Sequence, residues 1–192
     1  MSAPVVSIFA RWPTPGAAKT RLIPGFGEDG AAAIYTRLLE HTVREVRGSG
    51  LPFTLRTTGN EGRAFREWLG EDVSVTDQGD GDLTDRLYRA PAPGICIGSD
   101  CPGLTAGLLQ DAASALENAP VVIGPARDGG YWLIGFSHPS PWLFAKMPWS
   151  TDAVLPTTLK RCAARGIEPV LLPQLTDVDE PEDLADWPEF LP

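Results

Sequence analysis

Three cations stand within eleven residues on a run of Gly and Pro: Arg11-Trp-Pro-Thr-Pro-Gly16-Ala-Ala-Lys19-Thr-Arg21. Main-chain N–H groups in such a loop can point at phosphate oxygens. Lys19 adds a point charge, and the arginines can fork onto oxygens. Phosphate binding is therefore the first reading of this segment, and an ordinary exposed basic loop is the alternative. Two better-known phosphate signatures do not apply. A P-loop needs glycine ahead of Gly-Lys-[Ser/Thr], but Pro13 and Ala18 occupy the two glycine positions. Gly25-Phe-Gly27-Glu-Asp-Gly30 spells a dinucleotide fingerprint, yet no strand directly precedes it and Glu28 and Asp29 would face the pyrophosphate. A turn at the start of a helix is the better account.

Carboxylates at three other places suit a hard cation or a hydroxylated acceptor. Asp100, in Ser99-Asp100-Cys101-Pro102-Gly103, follows a short apolar run, a good position for Mg²⁺. Capping of the next helix is the competing role. In Arg127-Asp128-Gly129-Gly130-Tyr131 the paired glycines allow close backbone approach to a ligand, and Asp128 and Tyr131 can read an acceptor's hydroxyls. A hairpin turn of the Asp-Gly type is the alternative. Asp177 and Asp179 are two apart, so an extended backbone points both to one side. A charged helix start with Pro181 in its first turn is the alternative. His41 and His138 lie in no triad-like context, and Cys101 reads as a small buried neighbour, so nucleophilic hydrolysis is disfavoured.

Positioning these groups requires a scaffold, and the hydrophobic pattern supplies one. Strands are expected at 4–10, 53–57, 94–98, 121–124, 131–136 and 169–172, with a minor one marked by Val73 and Val75. Helices are expected at 28–47, 61–69, 83–90, over Leu104, Leu108, Ala112 and Leu116, and at 152–165 and 181–187. Arg11 to Gly27 reads as a long loop. This alternation predicts an α/β domain over residues 1–192, with a mostly parallel sheet and helices on both faces. Ligands in such sheets bind outside the carboxyl ends of the strands, where the candidate residues fall.

Composition narrows the function classes. The 192-residue chain is 43% hydrophobic and 21% charged, enough for a core, and its net charge is −9. An acidic chain repels nucleic-acid backbones, so no nucleic-acid partner is expected. The charge is uneven: residues 1–66 hold nine Lys/Arg against five Asp/Glu, and residues 67–192 hold seven against twenty. That asymmetry suits a basic phosphate loop facing acidic loops for a cation, or arises by chance from solvated helix faces. No apolar stretch approaches the roughly 20 residues that span a bilayer. The three cysteines are too few for a disulfide framework. A cytoplasmic protein with no membrane partner is the expectation.

Taken together, several segments resemble one family. They are Phe9-Ala-Arg11, Pro15-Gly16 to Leu22, Gln78 to Arg86, Ile97 to Pro102, Gly124 to Gly135, Trp149-Ser-Thr151 and Asp177 to Leu184, in matching order. The chain is similar to the bacterial rSAM/selenodomain-associated transferases, labelled as candidate glycosyltransferases, of the nucleotide-diphospho-sugar transferase superfamily. The resemblance implies the glycosyltransferase-A fold and a Mg²⁺ or Mn²⁺ site at Asp100, Asp177 and Asp179. It implies phosphate contacts by Arg11, Gly16, Lys19 and Arg21, and places Gln78, Gly81 and Arg86 near the base or ribose. Asp128, Gly129, Gly130 and Tyr131 fall on the acceptor side. Two departures stand out: Thr84 replaces a glycine, with the expected effect of narrowing the nucleotide pocket, and Glu180 replaces a threonine.

Lys19, Asp100 and Asp128 are the expected catalytic residues of a metal-dependent transferase. The expected partners are a nucleotide or nucleotide-sugar and a small-molecule acceptor, bound by a monomer or homodimer. Glycosyl transfer stands first because of the resemblance. Nucleotidyl transfer with release of pyrophosphate follows closely, since Asp100 lacks the second carboxylate of an Asp-x-Asp pair. A non-catalytic nucleotide-binding module is the reading from another class.

Overall fold

The computed structural model describes residues 2–59 and 61–192. In chain order the strands are β1 (Val5–Ala10), β2 (Phe53–Thr57), β3 (Val75–Asp77), β4 (Gly94–Ile97), β5 (Val121–Pro125), β6 (Tyr131–Phe136) and β7 (Val170–Leu171). The helices are α1 (Ile23–Ser49), α2 (Gly62–Leu69), α3 (Leu83–Tyr88), α4 (Ala106–Ala115) and α5 (Val154–Ala163). Among the described residues the strands form one sheet in the order β3-β2-β1-β4-β6-β5-β7. Only β6 runs against the others.

Strand alternation sorts the core into two layers. Val6, Ile8 and Ala10 of β1, Ile95 and Ile97 of β4 and Val122 of β5 face a cluster that includes Leu39, Val43 and Val46 of α1, Phe65 of α2 and Leu109 and Ala112 of α4. Cys96, Val121, Ile123, Ile134 and Phe136 face the other side, against Leu87 of α3, Cys162 of α5 and Phe144 of the segment between β6 and α5. Burying a side chain of this size is worth about 1.5–3 kcal/mol. The sheet is thus held from both faces, as the alternating pattern predicts.

Two elements differ from expectation. The stretch read as a loop to Gly27 already contains a 3₁₀ turn, Thr20–Leu22, and α1 begins at Ile23. Pro24 is tolerated because the first turn of a helix has no intrahelical use for its missing N–H. The break falls instead at Gly27, with φ 72° and ψ 174°, a conformation glycine reaches without a Cβ penalty. The expected last helix is two 3₁₀ turns, Pro181–Leu184 and Pro188–Phe190, separated at Trp187 ahead of the second proline.

Chain order places the site. β1 and β4 are neighbours at the centre of the sheet. The chain leaves β1 toward β2 on one side, while β6 extends the sheet from β4 on the other. A crevice therefore opens where the connections part, at the carboxyl ends of β1 and β4. A third apolar cluster closes it from outside: Leu22, Ala31, Ile34 and Leu38 pack on Val178, Leu184 and Phe190 of the C-terminal segment.

Candidate active site

Lys19 is the centre of the site. Its side chain is 9% exposed, and its Nζ lies 2.8 Å from Asp100 Oδ2 and 2.9 Å from Asp179 Oδ1. Burial opposes a charge on Lys19, but the two carboxylates outweigh it and push the ammonium pKa above its ordinary value. The backbone at Lys19 is left-handed, with φ 48° and ψ 51°. That costs a residue with a Cβ about 1–2 kcal/mol. The buried side chains of Ala18 and Leu22 hold the turn in place.

Asp100 is free for this contact because Thr105, not Asp100, caps α4 by accepting from Leu108 N. The Val178 N–H donates to the Asp100 carbonyl at 2.9 Å, which fastens the C-terminal segment to the end of β4. Val178 is fully buried. The two acids on either side of it differ: Asp179 lines the crevice, and Asp177 is enclosed beside it. Asp183 accepts the N–H groups of Asp179 and Glu180, at 2.9 and 2.8 Å, and stiffens this turn. Arg21 reaches Asp179 at 3.4 Å but is largely exposed.

Asp177 is in the least comfortable position. Its Oδ1 is enclosed and has no hydrogen-bond partner among the described residues. Burial first, then the Asp100 carboxylate, pushes its pKa well above the usual carboxylate range; Lys19 pulls the other way, and Asp128 and Asp179 add to the rise. Among the described residues no three acidic, His or Cys side chains are arranged to enclose a metal ion. Of the expected trio, Asp100 and Asp179 meet on the Lys19 ammonium, while Asp177 is enclosed nearby without a hydrogen bond to Lys19.

A cleft of about 370 Å³ adjoins this cluster. Arg11, Lys19, Arg21, Asp100 and Asp179 line one part, and Thr58, Gln78, Leu83 and Arg86 line another. Gln78 is buried, and its amide is fully used: Nε2 donates to the carbonyls of Ala10 and Arg56 at 3.0 and 2.7 Å, and Oε1 accepts from Arg86 Nη1 at 3.2 Å. It brackets the ends of β1 and β2 and aims Arg86. Gly16 and Gly81 have positive φ and shape the two loops, but neither lines the cleft.

The Asp128 loop is a hairpin turn. Asp128 is exposed, and its Oδ1 accepts from Gly130 N at 2.8 Å. Gly129 leaves no room for a side chain, because a Cβ would stand 2.5 Å from the backbone of Asp152. Tyr131 turns away from the cleft. Its ring packs on the second core cluster, 6.3 Å from Trp149, and its enclosed hydroxyl has no partner among the described residues. A bulge between Gly124 and Pro125 sets this facing. Thr84 also differs from expectation. It donates to the Phe144 carbonyl and accepts from Trp149 Nε1 at 2.8 Å, so it fastens α3 to the 144–149 segment rather than narrowing the cleft.

Sequence reasoning missed Tyr35 and Ser99. The Arg11 N–H donates to the Tyr35 hydroxyl at 3.1 Å, which shares a 2.9 Å hydrogen bond with Ser99 Oγ; Ser99 in turn donates to the Phe9 carbonyl. This buried chain holds the basic loop against the Asp100 loop. Its sequence signal was slight: a lone tyrosine on the apolar face of α1, read as core.

The fold is that of known transferases. A candidate nucleotide-diphospho-sugar transferase from Desulfovibrio desulfuricans G20 superposes with a TM-score of 0.86 at 28% identity, over 94% of this chain and 84% of that one. A nucleotidyl transferase from Methanothermobacter thermautotrophicus gives 0.68 at 17% identity, over 99% and 98%. The manganese complex of Rv0371c from Mycobacterium tuberculosis H37Rv gives 0.56 at 16%, over 98% of each. No curated protein matches the sequence significantly. Residues 42–151, which carry Gln78, Arg86, Asp100 and Asp128 but not Lys19 or Asp177, match the model of DUF2064, an uncharacterized protein conserved in bacteria, and the chain belongs to that family.

Proposed function

We propose that this protein is a metal-dependent transferase of a nucleotide-activated substrate, moving a glycosyl group from a nucleotide-diphospho-sugar to a small-molecule acceptor. The observation that carries the reading is the meeting of Lys19 with Asp100 and Asp179, from chain positions far apart, beside a cleft lined by further cations. The fold shared with the Desulfovibrio protein supports it. Within DUF2064 we assign the chain to the rSAM/selenodomain-associated branch on its Gly-Ser-Asp-Cys-Pro and Asp-Gly-Gly-Tyr segments. The same reading makes it a cytoplasmic monomer or homodimer.

The residues present fit a divalent cation. Asp177 Oδ1 is enclosed without a hydrogen-bond partner, and Asp100, Asp128 and Asp179 act on it against the single ammonium of Lys19, which is already paired with Asp100 and Asp179, so the carboxylates outnumber the cation. Asp100, Asp177 and Asp179 would hold Mg²⁺ or Mn²⁺, hard ions that take oxygen donors. When bound, such an ion neutralises charge developing on a leaving diphosphate. Lys19, Arg11 and Arg21 grip the phosphates, Arg86 stands at the nucleoside end, and Asp128 receives the acceptor's hydroxyl proton. The manganese complex of the Mycobacterium relative is in keeping with this assignment.

Nucleotidyl transfer is the second reading, and one observation favours it. An Asp-x-Asp pair would need a side chain at Gly98 or Pro102, and a Cβ at Gly98 would stand 2.7 Å from Asp100 Oδ1. The experiment is incubation of the purified protein and Mn²⁺ with nucleoside triphosphates or nucleotide-sugars and a metabolite pool. Release of nucleoside diphosphate supports glycosyl transfer, and release of pyrophosphate supports the second reading. Tight binding with neither product makes the chain a nucleotide-binding module, and no binding at all rejects all three.

A further inference from the structure

We infer that Lys19 is the site's own counter-ion: in the ligand-free protein its ammonium occupies the carboxylates a dication needs, so metal binds well only when anionic phosphate draws Lys19 away. This rests on the reading of the carboxylate cluster as a cation site given above.

Three observations lead there. First, the Lys19 Nζ has three N–H groups, and two are already spent on Asp100 Oδ2 and Asp179 Oδ1. A dication using those oxygens would be set beside an ammonium on the same atoms, with strong repulsion between the two cations. Second, the turn cannot easily retreat as a unit. Ala18 and Leu22 on either side are fully buried, and Leu22 N–H bonds the Lys19 carbonyl. The four-carbon side chain, whose charge is a compact point on a flexible stem, is the part free to swing. Third, Arg11 and Arg21 line the same cleft as Lys19, so a phosphate entering it meets further cationic donors there. Lys19 can exchange carboxylate for phosphate there without losing a counter-charge.

The consequence inverts ordinary expectation for a residue in a metal site: removing the lysine strengthens metal binding in the absence of nucleotide. Charge alone would give a smaller version of the same effect, so an exposed neighbour serves as the control. Arg21 lies 3.4 Å from Asp179 and is 66% exposed.

The test is Mn²⁺ binding to the full chain, followed by electron paramagnetic resonance of free Mn²⁺. Without any anionic ligand, Lys19→Gln should bind Mn²⁺ at least tenfold tighter than the wild type, and Arg21→Gln no more than about twofold tighter. Equal or weaker binding by Lys19→Gln overturns the inference, as does an equal gain in both variants. Wild-type protein labelled with ¹³C at lysine Cε gives a measurement that needs no variant. Mg²⁺ alone at 1 mM should leave the Lys19 resonance in place, and Mg²⁺ with inorganic pyrophosphate should shift it. A shift with 1 mM Mg²⁺ alone overturns the inference. If wild type and both variants bind neither Mn²⁺ nor pyrophosphate, it is the cation-site reading under Proposed function that fails.

Discussion

Val178 donates its main-chain N–H to the carbonyl of Asp100 at 2.9 Å while its side chain is fully buried against α1. One residue thus sets the position of the two acids beside it without touching the cleft. Val178→Ala should cost about 1–2 kcal/mol in urea unfolding, the loss of buried methyl groups plus a small cavity. It should also weaken Mn²⁺-pyrophosphate binding, because Asp177 and Asp179 lose their fixed backbone. Unchanged ligand affinity at reduced stability would show that the hydrogen bond alone holds the segment.

Asp177→Asn should separate stability from binding. With a chelator present, the substitution removes a carboxylate that burial and Asp100 both disfavour as an anion. The melting temperature at pH 8 should rise by about 3 °C, equivalent to about 1 kcal/mol in a chain of this size. In the same variant, binding of Mn²⁺ with pyrophosphate should fall at least tenfold. A chelator-treated variant less stable than the wild type would mean that Asp177 has a partner in solution.

Gln78→Leu is expected to be costly because three groups lose a partner at once: the carbonyls of Ala10 and Arg56, and the Arg86 guanidinium. Buried polar groups left unpaired cost about 1–3 kcal/mol each where water cannot reach them. A loss of about 3 kcal/mol by urea titration is the expected result. A loss below 1 kcal/mol would show that solvent reaches these carbonyls.

Thr84→Val keeps the shape of the side chain and removes its hydroxyl. The Trp149 indole N–H and the Phe144 carbonyl both lose a partner. Stability should drop by about 1–2 kcal/mol, and Trp149 fluorescence should shift as the 144–149 segment loosens. Nucleotide affinity should stay within twofold, since Thr84 faces away from the cleft.

His41 predicts a pH dependence. Burial first, then the Arg44 guanidinium, holds its pKa below the usual value, and Glu45 and Glu189 oppose this only in part. Arg44 Nη2 lies 2.6 Å from Nδ1 and the Leu104 carbonyl 3.0 Å from Nε2, an arrangement suited to the neutral ring. A depressed folded pKa means that this contribution is complete above the unfolded value of about 6.5 and is lost as pH falls through the folded one. The stability difference between wild type and His41→Gln should therefore shrink between pH 7 and pH 5. A constant difference would refute the assignment.

The scaffold was legible because its signals are local. β2, an alternating segment, and β6, an apolar run, match the predicted residues because turn residues bound both closely. The expected start of the helix at residue 28 is where α1 resumes after the break at Gly27; the turn before it was missed because Pro24 and Gly25 are breakers in a helix interior but not in a first turn. In the site, the meeting of Lys19 with Asp100 and Asp179 follows the reading of loops at strand ends. The side chains that fasten those loops were not legible. Tyr35 and Ser99 are 64 positions apart, and whether a tyrosine hydroxyl finds a partner depends on packing between layers. Tyr131 was assigned to the acceptor from its place after the paired glycines, and its facing differs because of a bulge, which shifts side chains to the other face with little trace in the sequence.

The contact between Lys19 and Asp179 spans 160 positions. All seven strands precede Thr176, so the sheet draws no strand from the acidic segment, whereas the crevice is complete only when that segment docks back on the end of β4. The cluster around Lys19 is therefore a long-range product of folding: local opening of the C-terminal segment takes Asp179 away from Lys19 and leaves the seven strands in place.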